Sequence, residues 1–554
     1  MHKITGRYSF RIAAAGVIVA GAAAGGMVAL SGAAAAAAVA VPCSSSSLIS
    51  AISTANTTPA DDSLSLTSGC VYSFTAANNA TDDGNALPVI TGSVSIAGNG
   101  ATITRSGSTA FRLFDVASTG SLSLSSVTLS NGLAAGTAGG GAVFNHGPLS
   151  VTSTTFSGNT STATGTSGGA INSSGPLTVS FSTFTGNTAV EGGGIFNEST
   201  SAAATITDTT FSGNTATTFG GGAIVSADGT TNVARDTFSG NNATGTAGGG
   251  AIDNDATVNV TNSTFSGNTA GTNGGGAVQN FGTTAITWST FSGNNSAFGA
   301  NLHNDTTTGS LTVSETIVAN GGGGGSNCSG TPAIVDGGYN IDTGTSCGFS
   351  TANHSKPSTN PDLGPLASNG GPTQTMALAS DSPAVNAVPV SVAGCSGSTD
   401  QRGVTRPQGI ACDIGAYELI MQTPPPPPPT GGPIRGFAGK CVDDFRSSTA
   451  DRNKIDIWDC NGTAAQRFTF TSNGELQVRG KCIDDPAFGH SGTKVILFTC
   501  NGGSNQRWIH TGGSYVLVFR HLCLDDPAFS RTDGTPLDVW SCNNGANQKW
   551  SLPA

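Results

Sequence analysis

The sequence predicts an all-β protein, a right-handed parallel β-helix followed by a β-trefoil. Phe-x-Gly-Asn recurs at Phe156, Phe184, Phe211, Phe238, Phe265 and Phe291, in steps of 26 to 28 residues. A Gly-rich block falls between the copies: GGGAV at 139–143, GGAI at 168–171, GGGI at 192–195, and three more. After a Pro-rich break, residues 434–554 carry three copies of a second, unrelated unit. At 554 residues the chain exceeds what one core can organise, so two or three domains are expected.

Composition narrows the class. Gly is abundant, at 80 residues, yet not at every third position, which excludes a collagen helix. Val, Ile, Leu and Phe are spaced too regularly for a disordered chain. Low charge, at 10% of residues, with a fixed period suits stacked β-structure. The net charge is −11 and no Lys lies between Lys3 and Lys356, so nucleic acid is excluded as a partner.

At the N-terminus, His2, Lys3, Arg7 and Arg11 precede a long Ala, Val, Gly and Ile run ending AAAVAVP. Residues 1–40 read as a secretory signal peptide, with Ala38 and Ala40 at the −3 and −1 positions of the cut. The alternative is a retained membrane anchor, since the run is long enough to span. Export predicts a mature chain that is secreted, extracellular or cell-surface associated, without an integral span. Twelve cysteines fall as local pairs, and an even count in an exported chain predicts six disulfides: Cys43/Cys70, Cys328/Cys347, Cys395/Cys412, Cys441/Cys460, Cys482/Cys500 and Cys523/Cys542. No CxxC or Cys/His cluster offers a zinc site, so no metal or cofactor is expected.

Residues 41–325 hold the repeats. Each period of about 27 residues runs Gly-Gly-Ala-Ile-x-Asn, an alternating stretch such as LSVTSTTF or LTVSFSTF, then Ser-Gly-Asn and a polar loop. Alternation of apolar and polar residues means strand. So short a strand cannot bury its face alone, and coiling the chain sets each inward side chain on its counterpart one rung away. Phe is then predicted to stack as one ladder. Asn159, Asn187, Asn214, Asn241, Asn268 and Asn294 form another, their amides bonding along the axis. Gly allows angles and close approaches that a side chain would forbid.

These GGA(I/V) and FxxN motifs resemble those of the chlamydial polymorphic outer-membrane proteins and related bacterial β-helix surface proteins. Within 326–420, the segment NPDLGPLASNGGPTQTMALASDSPAVNAV…TDQRGVTRP…CDIGAYEL resembles the choice-of-anchor tail that follows such repeats. The resemblance implies a cap between the helix and a variable attachment.

Many extracellular β-helices degrade polysaccharides, so carboxylates matter. Aligned on GGAIxN, the column after the Asn reads His146, Ser174, Glu198, Ala227, Asp255, Phe281 and Asp305. Glu198 and Asp255, two rungs apart, would stand about 10 Å from each other, at the long edge for an inverting pair. Asp253 and Asp255 share a strand face at about 7 Å, a hydrolytic spacing if both point outward. Against catalysis, Arg105, Arg112 and Arg235 are the only Lys or Arg residues between 43 and 325, and Tyr72 and Trp288 the only Tyr or Trp. These carboxylates therefore read first as solvated turn residues.

Residues 421–433 form a Pro-rich linker around TPPPPPPTGG, semi-rigid in polyproline conformation. In 434–554 the units read GKCVDD…IDIWDCNGTAAQRF, GKCIDDPAF…VILFTCNGGSNQRW and HLCLDDPAF…LDVWSCNNGANQKW, with first cysteines 41 residues apart. Three units, each too small to fold alone, imply a threefold β-trefoil with a shared core. The repeat strongly resembles the ricin-B-type lectin domain. That resemblance implies a sugar site in each unit: an Asp after the first Cys, an aromatic before the second, and an Asn-Gln dipeptide. A pyranose is polar at its rim and C–H-rich on its face, which suits this division. The third unit carries Asp525, Trp540, Asn547 and Gln548. The second carries Asp484, Phe498, Asn505 and Gln506. The first carries Asp443, Trp458 and Gln466, with Ala465 in place of the Asn. Asp456 and Asp538 stand where the family often uses Gln.

The expectation is a secreted, monomeric carbohydrate-binding protein, a β-helix scaffold presenting a lectin domain to glycans or polysaccharides. The alternative is an extracellular polysaccharide hydrolase or lyase, with Glu198, Asp253 and Asp255 in its β-helix and the trefoil as its binding module.

Overall fold

The computed structural model describes residues 38–553, apart from 59–60, 164–166, 201, 247, 306–308, 421–430, 472, 487–488 and 519. Nearly all of the expected signal segment and most of the Pro-rich linker lie outside the described residues. The expected cleavage point after Ala40 falls inside the first strand, Val39–Val41, which pairs with Asp62–Leu66. No helix among the described residues is long and apolar enough to cross a membrane. The chain divides into two units, Met1–Ile420 and Met421–Ala554.

The first unit is a parallel β-solenoid. One rung shows the pattern: Ile171–Ser173, Leu177–Ser180, Thr183–Thr185 and Thr188–Ala189. Each strand pairs in parallel with its counterpart one rung on, Ile171 with Ile195, Val179 with Ile206, Phe184 with Phe211. Because the register is set by identical side chains meeting, the predicted ladders form. Phe156, Phe184, Phe211, Phe238, Phe265 and Phe291 stack with centroids 4.5–4.9 Å apart. Asn214 Nδ2 donates to Asn241 Oδ1 (2.9 Å) and to Phe184 O (2.9 Å), while Asn214 Oδ1 accepts from both the backbone N–H (3.1 Å) and the amide of Asn187 (2.9 Å). Every polar group of that amide is thereby spent, in a place water does not reach.

Two kinds of Gly do different work. In Phe-x-Gly-Asn the Gly takes a left-handed φ near +61° at Gly158, Gly186 and Gly213. The middle Gly of the Gly-rich block is needed for space: a Cβ on Gly193 would strike the carbonyl of Gly222 one rung away.

Stretches such as LTVSFSTF, expected as one strand, are two. A residue with φ between 45° and 63° bends each: Ser153, Phe181, Asp208, Arg235, Asn262, Trp288 and Glu315. The next residue repays the lost strand bond. Ser182 Oγ accepts from Thr154 N (3.1 Å), Asp236 Oδ1 from Thr209 N (2.7 Å) and Thr316 Oγ1 from Ser289 N (3.2 Å). Alternation alone could not show this corner, because Ser and Thr fill both the strands and the bends.

A helix, Ser45–Ala55, was also not expected. Ser44 caps it by accepting from Ser47 N (3.1 Å), and Leu48, Ile52 and Ala55 bury into the first coil. At the other end the solenoid runs past 325. Ser326–Thr331, Val335–Gly338 and Ile341–Asp342 still pair in parallel with the preceding rung. The Asn ladder continues through Asn301 and Asn327 and ends on Asp342 Oδ1.

The remainder, to residue 420, lies against the solenoid's flank. Gln401 is fully buried there, its Oε1 accepting from Thr264 Oγ1 (2.6 Å) and its Nε2 donating to Asp236 O (3.1 Å) and Gln374 O (3.0 Å). Arg406, also buried, pairs with Glu418 (2.8 Å), donates to Gly415 O (2.6 Å) and lies over the Trp288 ring. Arg402 pairs with Asp400 (2.7 Å) and covers Tyr417. The polar letters of TDQRGVTRP and CDIGAYEL thus form an internal clamp.

The second unit is trefoil-like. Its units pair Cys441–Asp444 with Asn453–Trp458, Lys481–Asp484 with Ile496–Phe498, and Leu522–Asp525 with Asp538–Ser541, all antiparallel. Phe468, Trp508 and Trp550, from the three Gln-x-aromatic motifs, fill one core with Ile457, Leu497 and Val539. All six predicted disulfides form: Cys43–Cys70, Cys328–Cys347, Cys395–Cys412, Cys441–Cys460, Cys482–Cys500 and Cys523–Cys542.

Two substitutions separate the ladders' contributions. Phe211→Ala opens a void between two stacked rings and should cost about 3–5 kcal/mol. Asn214→Leu strands the Asn187 N–H and should cost about 1–3 kcal/mol. Urea unfolding of the full chain, followed through the solenoid transition, measures both.

Candidate functional site

Trp540 is 45% exposed at the mouth of a cavity of about 210 Å3. Asp525, Asp538, Asn543 and Asn547 line it below the ring. The hairpin pairing of Asp525 with Asp538 and of Cys523 with Trp540 brings these side chains together, and the Cys523–Cys542 disulfide closes the hairpin. Asp525 is buried, and its Oδ1 accepts from Asn547 Nδ2 (2.9 Å) and Gln548 Nε2 (2.8 Å). The second oxygen is left for a donor entering the cavity. Burial pushes the Asp525 carboxyl up, against the pull of the Gln548 and Asn547 amides. Asp538 pairs with Lys494 from the neighbouring unit (2.8 Å), a contact the sequence did not indicate.

Gln548 is fully buried and spends its other bonds on Asn543 N (2.9 Å) and Ser541 O (3.2 Å). Gln506 does the same on Asn501 N and Thr499 O, and Gln466 on Asn461 N and Asp459 O. These glutamines brace the turn and aim the Asp.

The first unit has the larger cavity, about 380 Å3, with Trp458 38% exposed at its edge. Asp443 sits on its floor, held by Gln466. Ala465, where the other units have Asn, is part of the lining and leaves the extra room. Asp456 beside it is covered by Lys454 (3.1 Å). In the second unit, Asn505 and Gln506 both donate to Asp484 Oδ2 (2.9 and 2.7 Å), and Phe498 is half-buried nearby. Part of that unit's loop, 487–488, is outside the described residues.

The solenoid candidates do not assemble as an open pair. Asp253 is in the strand Ile252–Asn254 but only 6% exposed, and its Oδ1 has no hydrogen-bond partner among the described residues. Asp255 is exposed just past that strand. The condition for a hydrolytic pair, both carboxylates facing solvent, therefore fails at Asp253. Glu198 stands apart, half-buried, its nearest charges His146 and Asp228. Glu191, from the loop before the strand two rungs earlier, was missed: it couples to Asp253 and Asp255, and nothing in its EGGGI context marked it. Tyr72 and Trp288 are both buried and offer no platform.

Residues 430–550 match the family model described as the ricin-type β-trefoil lectin domain. Those residues form a ricin-type lectin domain. Among curated proteins, the chain is 26% identical over 118 residues to serine protease 1 of Rarobacter faecitabidus, covering 14% of this chain and 22% of the protease. It is 34% identical over 103 residues to the ribosome-inactivating protein PMRIPt of Polygonatum multiflorum, covering 18% and 17%. The chain therefore spans about a fifth of the length of these relatives. Among solved structures, the designed threefold protein ThreeFoil is 27% identical, with 22% of this chain and 98% of that chain covered and a TM-score of 0.21. The Abrus precatorius agglutinin is 23% identical, covering 22% and 47%, also with a TM-score of 0.21.

The buried acids of the solenoid have a measurable consequence. Burial raises Glu191 to about 7, with Asp255 adding to the effect, and raises Glu315 to about 7 and Asp115 to about 6. Groups whose carboxyl pKa is higher folded than unfolded favour the fold while protonated, and that contribution disappears as pH rises through the folded value. The solenoid should therefore melt at a lower temperature at pH 7.5 than at pH 5. Glu191→Gln with Glu315→Gln should flatten the difference in a calorimetric pH series.

Proposed function

We propose that this protein is an extracellular carbohydrate-binding protein whose solenoid is a scaffold and whose lectin domain binds glycans through the first and third units. The observation that supports this most is the pairing of an exposed Trp540 with an Asp525 carboxylate already oriented by two amides. The indole takes the C–H face of a pyranose. The free Asp525 oxygen accepts from a ring hydroxyl, a charge-assisted bond in a partly desolvated place. Because the amides hold Asp525 before the sugar arrives, little ordering cost falls on binding. Trp458 and Asp443 repeat the arrangement. Shallow sites of this kind hold a polymer by engaging it together.

Six disulfides and the lectin domain support an extracellular setting. Catalysis by the solenoid has less support, since Asp253 is sealed and Glu198 and Asp255 have Ala227 between them on the intervening rung.

The test is retention of the full chain on a glycan array and on insoluble polysaccharides. Trp540→Ala should weaken binding about tenfold or more, the loss of an aromatic anchor at a small site. Trp458→Ala/Trp540→Ala should abolish it. Undiminished binding by the double variant would sink the assignment.

A further inference from the structure

The three lectin units are an internal control; among the positions lining both cavities the first differs from the third at three, of which Phe445 for Pro527 exchanges one apolar side chain for another. Ala465 replaces Asn547, and Arg446 replaces Ala528, both in the left-handed conformation with φ 56°. Each lines its own unit's cavity, so the exchange puts a guanidinium where the third unit has a methyl group.

The loop bearing Arg446 is fastened by two side chains. Arg479 Nη1 donates to Ser447 O (2.7 Å), and Asn453 Nδ2 donates to Phe445 O (2.9 Å) and to Asp444 Oδ1 (2.6 Å). Arg446 lies against the Phe445 ring, 4.9 Å from its centroid, and Lys454 Nζ approaches the same ring at 3.9 Å. The acids around this cavity are already engaged. Lys440 takes Asp459 (2.7 Å) and Asp533 (2.6 Å), Lys454 takes Asp456 (3.1 Å), and Gln466 holds Asp443. No carboxylate among the described residues forms an ion pair with Arg446, which lines the cavity and so keeps its donors for an entering group. A planar guanidinium matches a carboxylate with two parallel bonds, and a hydroxyl with only one.

We propose that the first unit is the acidic-sugar site of this lectin domain, taking a uronic acid whose carboxylate meets Arg446 while its ring stacks on Trp458. This rests on the reading of the domain as a glycan binder and adds a division of labour within it. The third unit, with Ala528 and an Asn547 amide, suits a neutral hexose. The extra volume of the first cavity, about 380 against 210 Å3, accommodates the added group. Asp443 remains at the floor, for a hydroxyl at the opposite end of the ring from the carboxylate.

Titration of the full chain with α-1,4-trigalacturonate and with its carboxyl-reduced counterpart, trigalactose, tests this. The Trp540→Ala background keeps the third unit from masking the first. The expected result is at least fivefold tighter binding of the acidic trimer, a preference that shrinks at high salt and falls to about one in Arg446→Ala. Arg446→Lys should keep part of it. The reciprocal variant, Ala528→Arg in a Trp458→Ala background, should create an acidic preference in the third unit. Neutral binding with no acidic preference, or a preference that survives Arg446→Ala, overturns the division of labour alone. If the wild-type chain retains no glycan of any kind, the carbohydrate-binding reading falls and this one with it.

Discussion

The solenoid depends on the pairing of buried backbone N–H groups at its corners. Where the chain leaves a strand, those donors turn into a narrow interior that holds no room for water. Asn187, Asn214 and Asn241 meet this by lending each side-chain oxygen to the backbone of the neighbouring rung. One amide at each rung satisfies two donors and two acceptors, so the column is closed only when it is continuous. That is why the column runs on past the last regular repeat and ends on a carboxylate, Asp342, which has no N–H and so needs no acceptor beyond it.

The same logic explains the segment after the repeats. A solenoid flank bent at left-handed residues leaves the Arg235 carbonyl without a backbone donor and the Asp236 carbonyl with only one, from Thr264 N (2.9 Å). Thr373 and Gln401 supply the donors, and Arg406 ties Asn262 and Trp288 to the clamp. The charged residues of this region sit in tight pairs away from solvent. Such pairs contribute geometry more than net stability, which suits a piece that must seat in one position on a repetitive surface.

In the lectin domain the division between core and site runs through the Gln-x-aromatic motif. The aromatics stay inside: Trp508 and Trp550 donate to Ile483 O and Leu524 O. The glutamines stand one layer out and hold the turns and the aspartates. The aspartates and the tryptophans at 458 and 540 line the cavities, and the glutamines do not. A residue can therefore belong to the site's motif and never touch the ligand, and Gln548 is such a residue.

Legibility followed repetition. The period, the Phe and Asn ladders, the six cystine pairs and the three trefoil units could be read directly, because identical residues at a fixed step report a common environment. The tertiary structure alone decided what single positions do. The corner at Phe181 and Asp208 was hidden because a left-handed bend has no residue signature when its stabilising oxygen comes from the next coil. Glu191 comes within electrostatic reach of Asp253 only once the chain has coiled two rungs. Asp253 itself, the strongest catalytic candidate by spacing, proved buried. Nothing in the repeat marks Arg446, whose place shows only when its cavity, its engaged neighbours and its Ala528 counterpart are seen together. Sequence determines periodic contacts because each is made many times over, while a contact made once depends on where the whole chain has put its partner.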